Sequence, residues 1–271
     1  MADDIAAAAQ FIAAADGILV TAGAGMGVDS GLPDFRGDTG FWQAYPALAR
    51  TRVGFSEIAT PGRFHTTPQV SWGFYGHRLQ LYRGTVPHAG FAILREIADR
   101  MPQGGFVFTT NVDGHFQKAG VDPDRIVEYH GTIHQLQCLN RCTDAIWPSD
   151  AALAPVDHAS GLMTGPVPRC PHCGSIARPN ILMFNDSGWI AERTDAQLAR
   201  FDAWRATVRQ LVVIELGAGT ALPSVRRFGE RQGAPVIRIN PRESALAKGS
   251  GVGLSLGALA GVQALKTALA R

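Results

Sequence analysis

The sequence predicts an α/β fold: a parallel sheet with helices on both faces, joined to a smaller second domain. Three observations carry this. Short β-branched or apolar runs recur at residues 17–22, 106–111, 125–129, 211–216 and 236–240. They are apolar along most of their length, as strands covered on both faces are. Segments of helical period lie between them, and strands alternating with helices call for parallel pairing. Two stretches, 38–87 and 131–180, break that alternation and read as insertions that build the second domain.

Size and composition set the frame. With 271 residues, 46% of them hydrophobic, the chain can bury a large core and a smaller one. A net charge of +2 without a basic stripe speaks against nucleic acid as a partner. The acidic start, Met1-Ala2-Asp3-Asp4, leads into an alanine-rich helix and lacks the pattern of a secretion signal. No apolar run is long enough to cross a membrane. A soluble, cytoplasmic protein is expected. In that reducing compartment four cysteines in two close pairs read as metal ligands rather than disulfides.

Taken in order, residues 3–15 read as a helix, with Ile5, Ala8, Ala9 and Ile12 at helical spacing. The strand at 17–22 runs into T-A-G-A-G-M-G-V-D-S-G-L-P-D-F-R-G, residues 21–37. Glycine lets the backbone turn tightly and approach a ligand. A turn between a strand and a helix start also aims N–H groups at a phosphate. G-x-G alone fits either a nucleotide loop or a plain tight turn. A hydride-transfer dinucleotide site wants an acidic residue about twenty positions further on, after a second strand. Asp34 comes nine residues after Gly25, so that kind of site is disfavoured. Pro33-Asp34-Phe35-Arg36 instead sets an aromatic ring and a guanidinium beside the cradle.

Residues 38–87, rich in aromatics and broken by Pro46, Pro61 and Pro68, read as short helices and loops packed as a lid. Helices are expected at 88–100, with Phe91, Leu94, Ile97 and Ala98 on one face, and at 257–271, with Leu259, Val262, Leu265 and Leu269.

Two clusters follow strand ends, where open α/β sheets bind ligands. In Thr109-Thr110-Asn111-Val112-Asp113-Gly114-His115, Asn111 and Asp113 either point into one crevice or cap a following helix. In Glu128-Tyr129-His130-Gly131, the histidine is placed for acid–base work near neutral pH, or is structural. Cys138-x3-Cys142, then 27 residues, then Cys170-x2-Cys173-Gly174 suits a tetrahedral structural zinc with no open position. His172 is a weaker candidate ligand.

Together, segments 23–37, 109–120 and 128–131, the cysteine pairs, Arg178-Pro179-Asn180-Ile181-Leu182-Met183-Phe184, residues 217–222 and Ile239-Asn240 occur in the order found in sirtuins. The chain resembles that family from residue 16 to about 256. The resemblance implies a Rossmann-like NAD-binding domain, residues 1–37, 88–130 and 181–271. It also implies a small helical and zinc-binding domain, residues 38–87 and 131–180. It further implies an NAD-dependent protein lysine deacylase that consumes NAD, carries one structural Zn2+ and acts on acyl-lysine proteins or peptides. Ala22, Gly23, Ala24 and Gly25 would hold the pyrophosphate, and Asp34, Phe35 and Arg36 would lie by the nicotinamide ribose. Asn111 and Asp113 would line the nicotinamide pocket, and Gly217, Gly219, Thr220 and Asn240 would sit on the adenosine side.

On this likeness the acyl oxygen attacks C1′ of the nicotinamide ribose and expels nicotinamide. His130 is then the general base on a ribose hydroxyl, and the products are free lysine and O-acyl-ADP-ribose. The substrate backbone would add as a strand along Met183-Phe184-Asn185. Tyr75 and Arg78 match the Tyr-x-x-Arg pair of sirtuins that remove succinyl and malonyl groups. Three apart on a helix they face the same way, and a guanidinium suits a carboxylate. The plainer reading is one buried Tyr and one solvated Arg.

The chain departs from the family at Gly27 (usually Ser), Thr110 (usually Gln), Asn185 (usually Gly), the longer first cysteine pair and the 217–223 loop. These departures imply a divergent bacterial-type branch. Two other readings are a protein mono-ADP-ribosyltransferase, which need not use His130 on the ribose hydroxyl, and a low-turnover NAD-binding sensor. The sensor would leave Asn111, Asp113 and His130 without a reason to occur together.

Overall fold

The computed structural model describes residues 2–33, 37–151, 155–247, 249 and 251–271. Helix α1 (Ala2–Ala14) leads to β1 (Gly17–Ala22), buried along its whole length, and a 3-10 helix, Ala24–Ser30, follows it. Five helices come next: α2 (Gly37–Ala44), α3 (Pro46–Arg50), α4 (Phe55–Ile58), α5 (Pro61–Thr66) and α6 (Pro68–Gly84). The three prolines that interrupt this stretch start α3, α5 and α6, where a fixed φ and a missing N–H are tolerated. The chain continues through α7 (Ala89–Ala98), β2 (Gly105–Thr109), α8 (His115–Lys118) and β3 (Ile126–Glu128). The second irregular stretch holds β4 (Gly131–Cys138), β5 (Ile146–Pro148), β6 (Val156–Asp157), β7 (Leu162–Met163) and β8 (Ala177–Ile181). The chain ends with α9 (Glu192–Arg205), β9 (Leu211–Leu216), α10 (Ser224–Glu230), β10 (Val236–Ile239), β11 (Gly251–Leu254) and α11 (Ala258–Leu269).

Among the described residues, six parallel strands form one sheet in the order β11-β10-β9-β1-β2-β3. The chain runs outward from β1 to β3, returns to β9 on the other side of β1, and runs outward again. That reversal between β1 and β9 is a topological switch point, where such sheets bind ligands. Side chains alternate across the sheet as the strand period requires. Ile18 and Val20 meet Ile12, Phe91, Leu94 and Val262 of α1, α7 and α11 on one face. Leu19, Phe106 and Phe108 meet Phe201 and Trp204 of α9 on the other. Both faces are therefore covered, as expected.

A third apolar cluster packs Phe41, Tyr45, Phe64, Trp72 and Tyr75 of the helical stretch against Ile133, Leu136 and Ala177. The antiparallel sheet β5-β4-β8 backs it, and Trp72 Nε1 donates to Ala177 O at 2.9 Å. The stretch 131–180 is more regular than its sequence pattern suggests. The β4–β8 pairing shifts register between Thr132 and Leu136, which breaks the alternation. α9 and β11 are also missing from the apolar pattern. The buried face of α9 begins with Thr194 and Gln197, and β11 is half glycine. Among the described residues no helix is long and apolar enough to cross a membrane.

A candidate active site at the carboxyl ends of the strands

Register levels the strand ends. Ala22 pairs with Thr109 and Leu216, Thr109 with Glu128, and Leu216 with Ile239. Gly23, Asn111, His130, Gly217 and Asn240 therefore emerge along one edge of the sheet, although they are far apart in sequence.

The glycine loop is built for contact between two backbones. Gly23 N donates to Leu216 O at 3.0 Å and Gly25 N to Gly217 O at 3.1 Å. A Cβ on Gly25 would lie 2.6 Å from Gly217 Cα, and one on Gly217, whose φ is 58°, would overlap the Gly25 backbone. The close approach brings the loops after β1 and β9 together at the switch point. Gly217→Ala should cost about 2–4 kcal/mol from left-handed strain plus overlap, read as a lower denaturant midpoint. An unchanged midpoint would contradict the interlock. Gly27 is buried, and a Cβ there would stand 3.0 Å from Leu32 Cδ1. A serine at 27 would press on that leucine.

Above this edge lies a crevice of about 420 Å³, within the range of small-molecule sites. Ala24, Asn111, Asp113 and His130 line it from the sheet, Tyr75 and Arg78 from α6, and Met183 and Phe184 from the turn after β8. Five segments that the sequence keeps separate thus share one cavity. Thr110 lines it as well.

Asn111 Nδ2 donates to Gly23 O at 3.0 Å, and its N–H bonds Thr109 Oγ1, which itself donates to Ala22 O. Asn111 therefore ties the second strand end to the glycine loop and does not act as a helix cap. Asp113 does both jobs: its Oδ1 accepts from His115 N at 2.9 Å at the start of α8, and it lines the crevice. Burial pushes its carboxyl above the usual aspartate range, against the opposing pull of His115.

His130 is half-buried, and burial lowers its pKa below the ordinary 6.5. The ring is then a neutral imidazole at neutral pH, competent as a base. The strand end before it is clamped by α9: the buried Glu128 pairs with Arg193, Thr194 Oγ1 donates to Glu128 O, and Glu128 N donates to Gln197 Oε1. Sequence reasoning missed this clamp, which joins residues more than sixty apart.

The turn at Met183, Phe184 and Asn185 is held from below. Arg178 and Asp186, both buried, form a bidentate pair at 2.7 and 2.8 Å. The same carboxylate accepts from Met183 N and Gly188 N, and Phe184 N donates to Ala59 O. Asn185 has φ 54°. Where the resemblance leads one to expect Gly, this chain carries a residue that tolerates left-handed backbone.

On the far side, Asn240 is fully buried, with Nδ2 on Ala218 O and Oδ1 accepting from Arg242 N and Glu243 N, each at 3.0 Å. It holds the 217–220 loop from behind. Thr220, exposed next to Gly219, donates to Glu243 Oε1 at 3.0 Å. Asp34, Phe35 and Arg36 lie outside the described residues.

The four cysteine sulfurs lie within 4.8 Å of one another, with Cys138–Cys173 and Cys142–Cys170 each at 3.6 Å. Tetrahedral thiolates at zinc–sulfur bond length stand about 3.8 Å apart. The set fits one structural Zn2+ and leaves no position for substrate. Gly174 N on Cys170 O and Cys170 N on Ser175 O close the knuckle.

A sequence model described as the Sir2 family matches residues 23–204. The chain belongs to the Sir2 family. Among relatives of this Sir2 chain, an NAD-dependent protein deacylase of Pyrococcus furiosus is 30% identical over 224 residues, 83% of this chain and 81% of the relative. One from Aquifex aeolicus is 28% identical over 231 residues, 85% of this chain and 86% of the relative. A solved complex of a Sir2 homologue with NAD superimposes with a TM-score of 0.72 at 22% identity, covering 97% of this chain and 94% of that one. A Sir2 homologue S24A mutant bound to ADP-ribose gives 0.72 at 23%, covering 97% of both. At those identities the two structures speak for the shared Sir2 fold.

Proposed function

We propose that this chain is an NAD-dependent protein lysine deacylase. The observation that carries the reading is the meeting of Asn111, Asp113 and His130 in one crevice with Tyr75 and Arg78, beside the interlocked glycine loops. The sheet-bearing parts, residues 1–37, 88–130 and 181–271, are assigned to NAD. Residues 38–87 and 131–180 are assigned to the acyl end and the zinc. The residues present fit the dinucleotide: backbone loops at a switch point for its phosphates, and an amide and a carboxyl at strand ends for the nicotinamide. NAD, when bound, supplies an activated ribosyl carbon with nicotinamide as leaving group. His130 accepts a proton at a ring nitrogen, a step that suits a base whose pKa lies near or below the working pH. Met183, Phe184 and Asn185 offer main-chain groups to an extended acyl-lysine peptide. We assign the protein to the cytoplasm, with no nucleic acid among its partners.

Arg78 sets the acyl class. Its guanidinium lies buried at the crevice wall, 5.9 Å from the Tyr75 ring centroid, where it suits an acyl chain ending in a carboxylate, malonyl or succinyl. Arg78→Met should reduce kcat/KM on succinyl-lysine peptides by about ten- to a hundredfold, the worth of a hydrogen bond to a charged group, and leave acetyl-lysine peptides nearly unchanged. Equal loss on both would sink the carboxylate contact. The reading as a whole is tested by nicotinamide release in the presence of NAD and acylated or unmodified lysine peptides. Release that needs the acyl group supports it. ADP-ribose mass on protein would favour mono-ADP-ribosyl transfer, and no release would favour a sensor.

A further inference from the structure

We infer that Tyr82 is a positioning residue for acyl-chain selectivity, orienting Arg78 so that a carboxylate can reach it only end-on; this rests on the carboxylate reading above. Tyr75, Arg78 and Tyr82 stand at i, i+3 and i+7 on α6, one face of the helix, and all three line the crevice. Arg78 Nε and Nη2 both donate to Tyr82 Oη, at 2.9 and 2.7 Å. The guanidinium is a rigid planar fork, so these two bonds fix its plane and direction together. They also occupy the Nε–Nη2 edge, the one a carboxylate would grip side-on. A bidentate carboxylate must then come across the Nη1–Nη2 edge or displace the phenol. Tyr82 itself is held: it is buried, and its ring stands 6.3 Å from that of the fully buried His115. With the docking edge and its direction both set, the distance from the lysine to the carboxylate is set too, and the pocket should distinguish dicarboxylic acyl chains by length.

The role is specific to binding of the acyl end. Tyr82→Phe keeps the ring and its packing and removes only Oη. The guanidinium then loses its restraint, which is worth about the ordering of one long side chain. In the Tyr82→Phe protein, kcat/KM on the preferred dicarboxylic acyl-lysine peptide should fall about three- to tenfold, carried by KM with kcat kept. The spread among malonyl, succinyl and glutaryl peptides should narrow, and acetyl-lysine turnover should stay level. The inference is overturned by unchanged chain-length selectivity, by equal losses on acetyl and dicarboxylic peptides, or by loss of folding in thermal melting, which would make Tyr82 merely structural. Arg78→Met run alongside separates the two claims. If it abolishes the preference for carboxylate chains while Tyr82→Phe does nothing, only the role of Tyr82 fails. If it leaves that preference intact, the carboxylate reading fails, and this inference with it.

Discussion

Replacing His130 with Ala should lower kcat for deacylation by about a hundred- to ten-thousandfold, the usual worth of a positioned general base, while NAD affinity changes little. His130 follows β3 and reaches the crevice from a strand end clamped by Glu128 with Arg193, so its removal should take away the proposed proton acceptor and leave the fold. The loops proposed for the dinucleotide follow β1 and β9, and their interlock does not involve His130. Equilibrium binding of NAD together with single-turnover kinetics checks both halves. Full activity in the variant would remove the assigned role.

The same residue fixes the sign of a pH dependence. Burial disfavours the imidazolium, so the folded pKa lies below 6.5, and the form proposed to act as base is the neutral ring. At pH 6.5 the neutral ring therefore still predominates, and the midpoint of the expected activity loss lies lower. The acid limb of kcat/KM, which reports the free enzyme, should therefore lie below 6.5. A limb at or above the ordinary histidine value would contradict the burial argument.

Removing the metal should have the largest effect on stability. Cys138 ends β4, and the Cys170 knuckle leads through Ser175 into β8, so zinc joins the two strands that back the helical cluster. In small zinc modules metal binding supplies most of the folding free energy, about 10–16 kcal/mol in isolated fingers. Chelation or Cys170→Ser should then unfold residues 131–181 and loosen α6, whose Trp72 bonds Ala177 O. The parallel sheet, whose two clusters contain no cysteine, should keep its protection from hydrogen exchange. Metal analysis should find one zinc per chain. A Cys170→Ser protein with native exchange and no metal would contradict a structural zinc.

How much of this could be read in the sequence depended on whether the signal was local. β1, β2 and β9 were legible because strands covered on both faces must be apolar along most of their length. Asn111, Asp113 and His130 were legible because they follow strands by two to four residues, and the cysteines because thiolate pairs have a narrow spacing. α9 was hidden: its buried face includes Thr194 and Gln197, which serve the backbone of Glu128 and carry no apolar period. β4 was hidden by its register shift. Tyr82 had a usable signal, four residues after Arg78 on the same helical face, but only the two hydrogen bonds show what it does. The Arg178–Asp186 pair likewise gave no local sign that it supports the turn above it.

The central claim is that the crevice hands an acyl group from lysine to ADP-ribose, and product identity tests it most directly. After incubation with NAD and an acetyl- or succinyl-lysine peptide, mass spectrometry should find nicotinamide, deacylated peptide and ADP-ribose carrying the acyl group in equal amounts, and none of them when the lysine is unmodified. Nicotinamide formed without an acyl peptide, with the ADP-ribose mass appearing on protein, would contradict it.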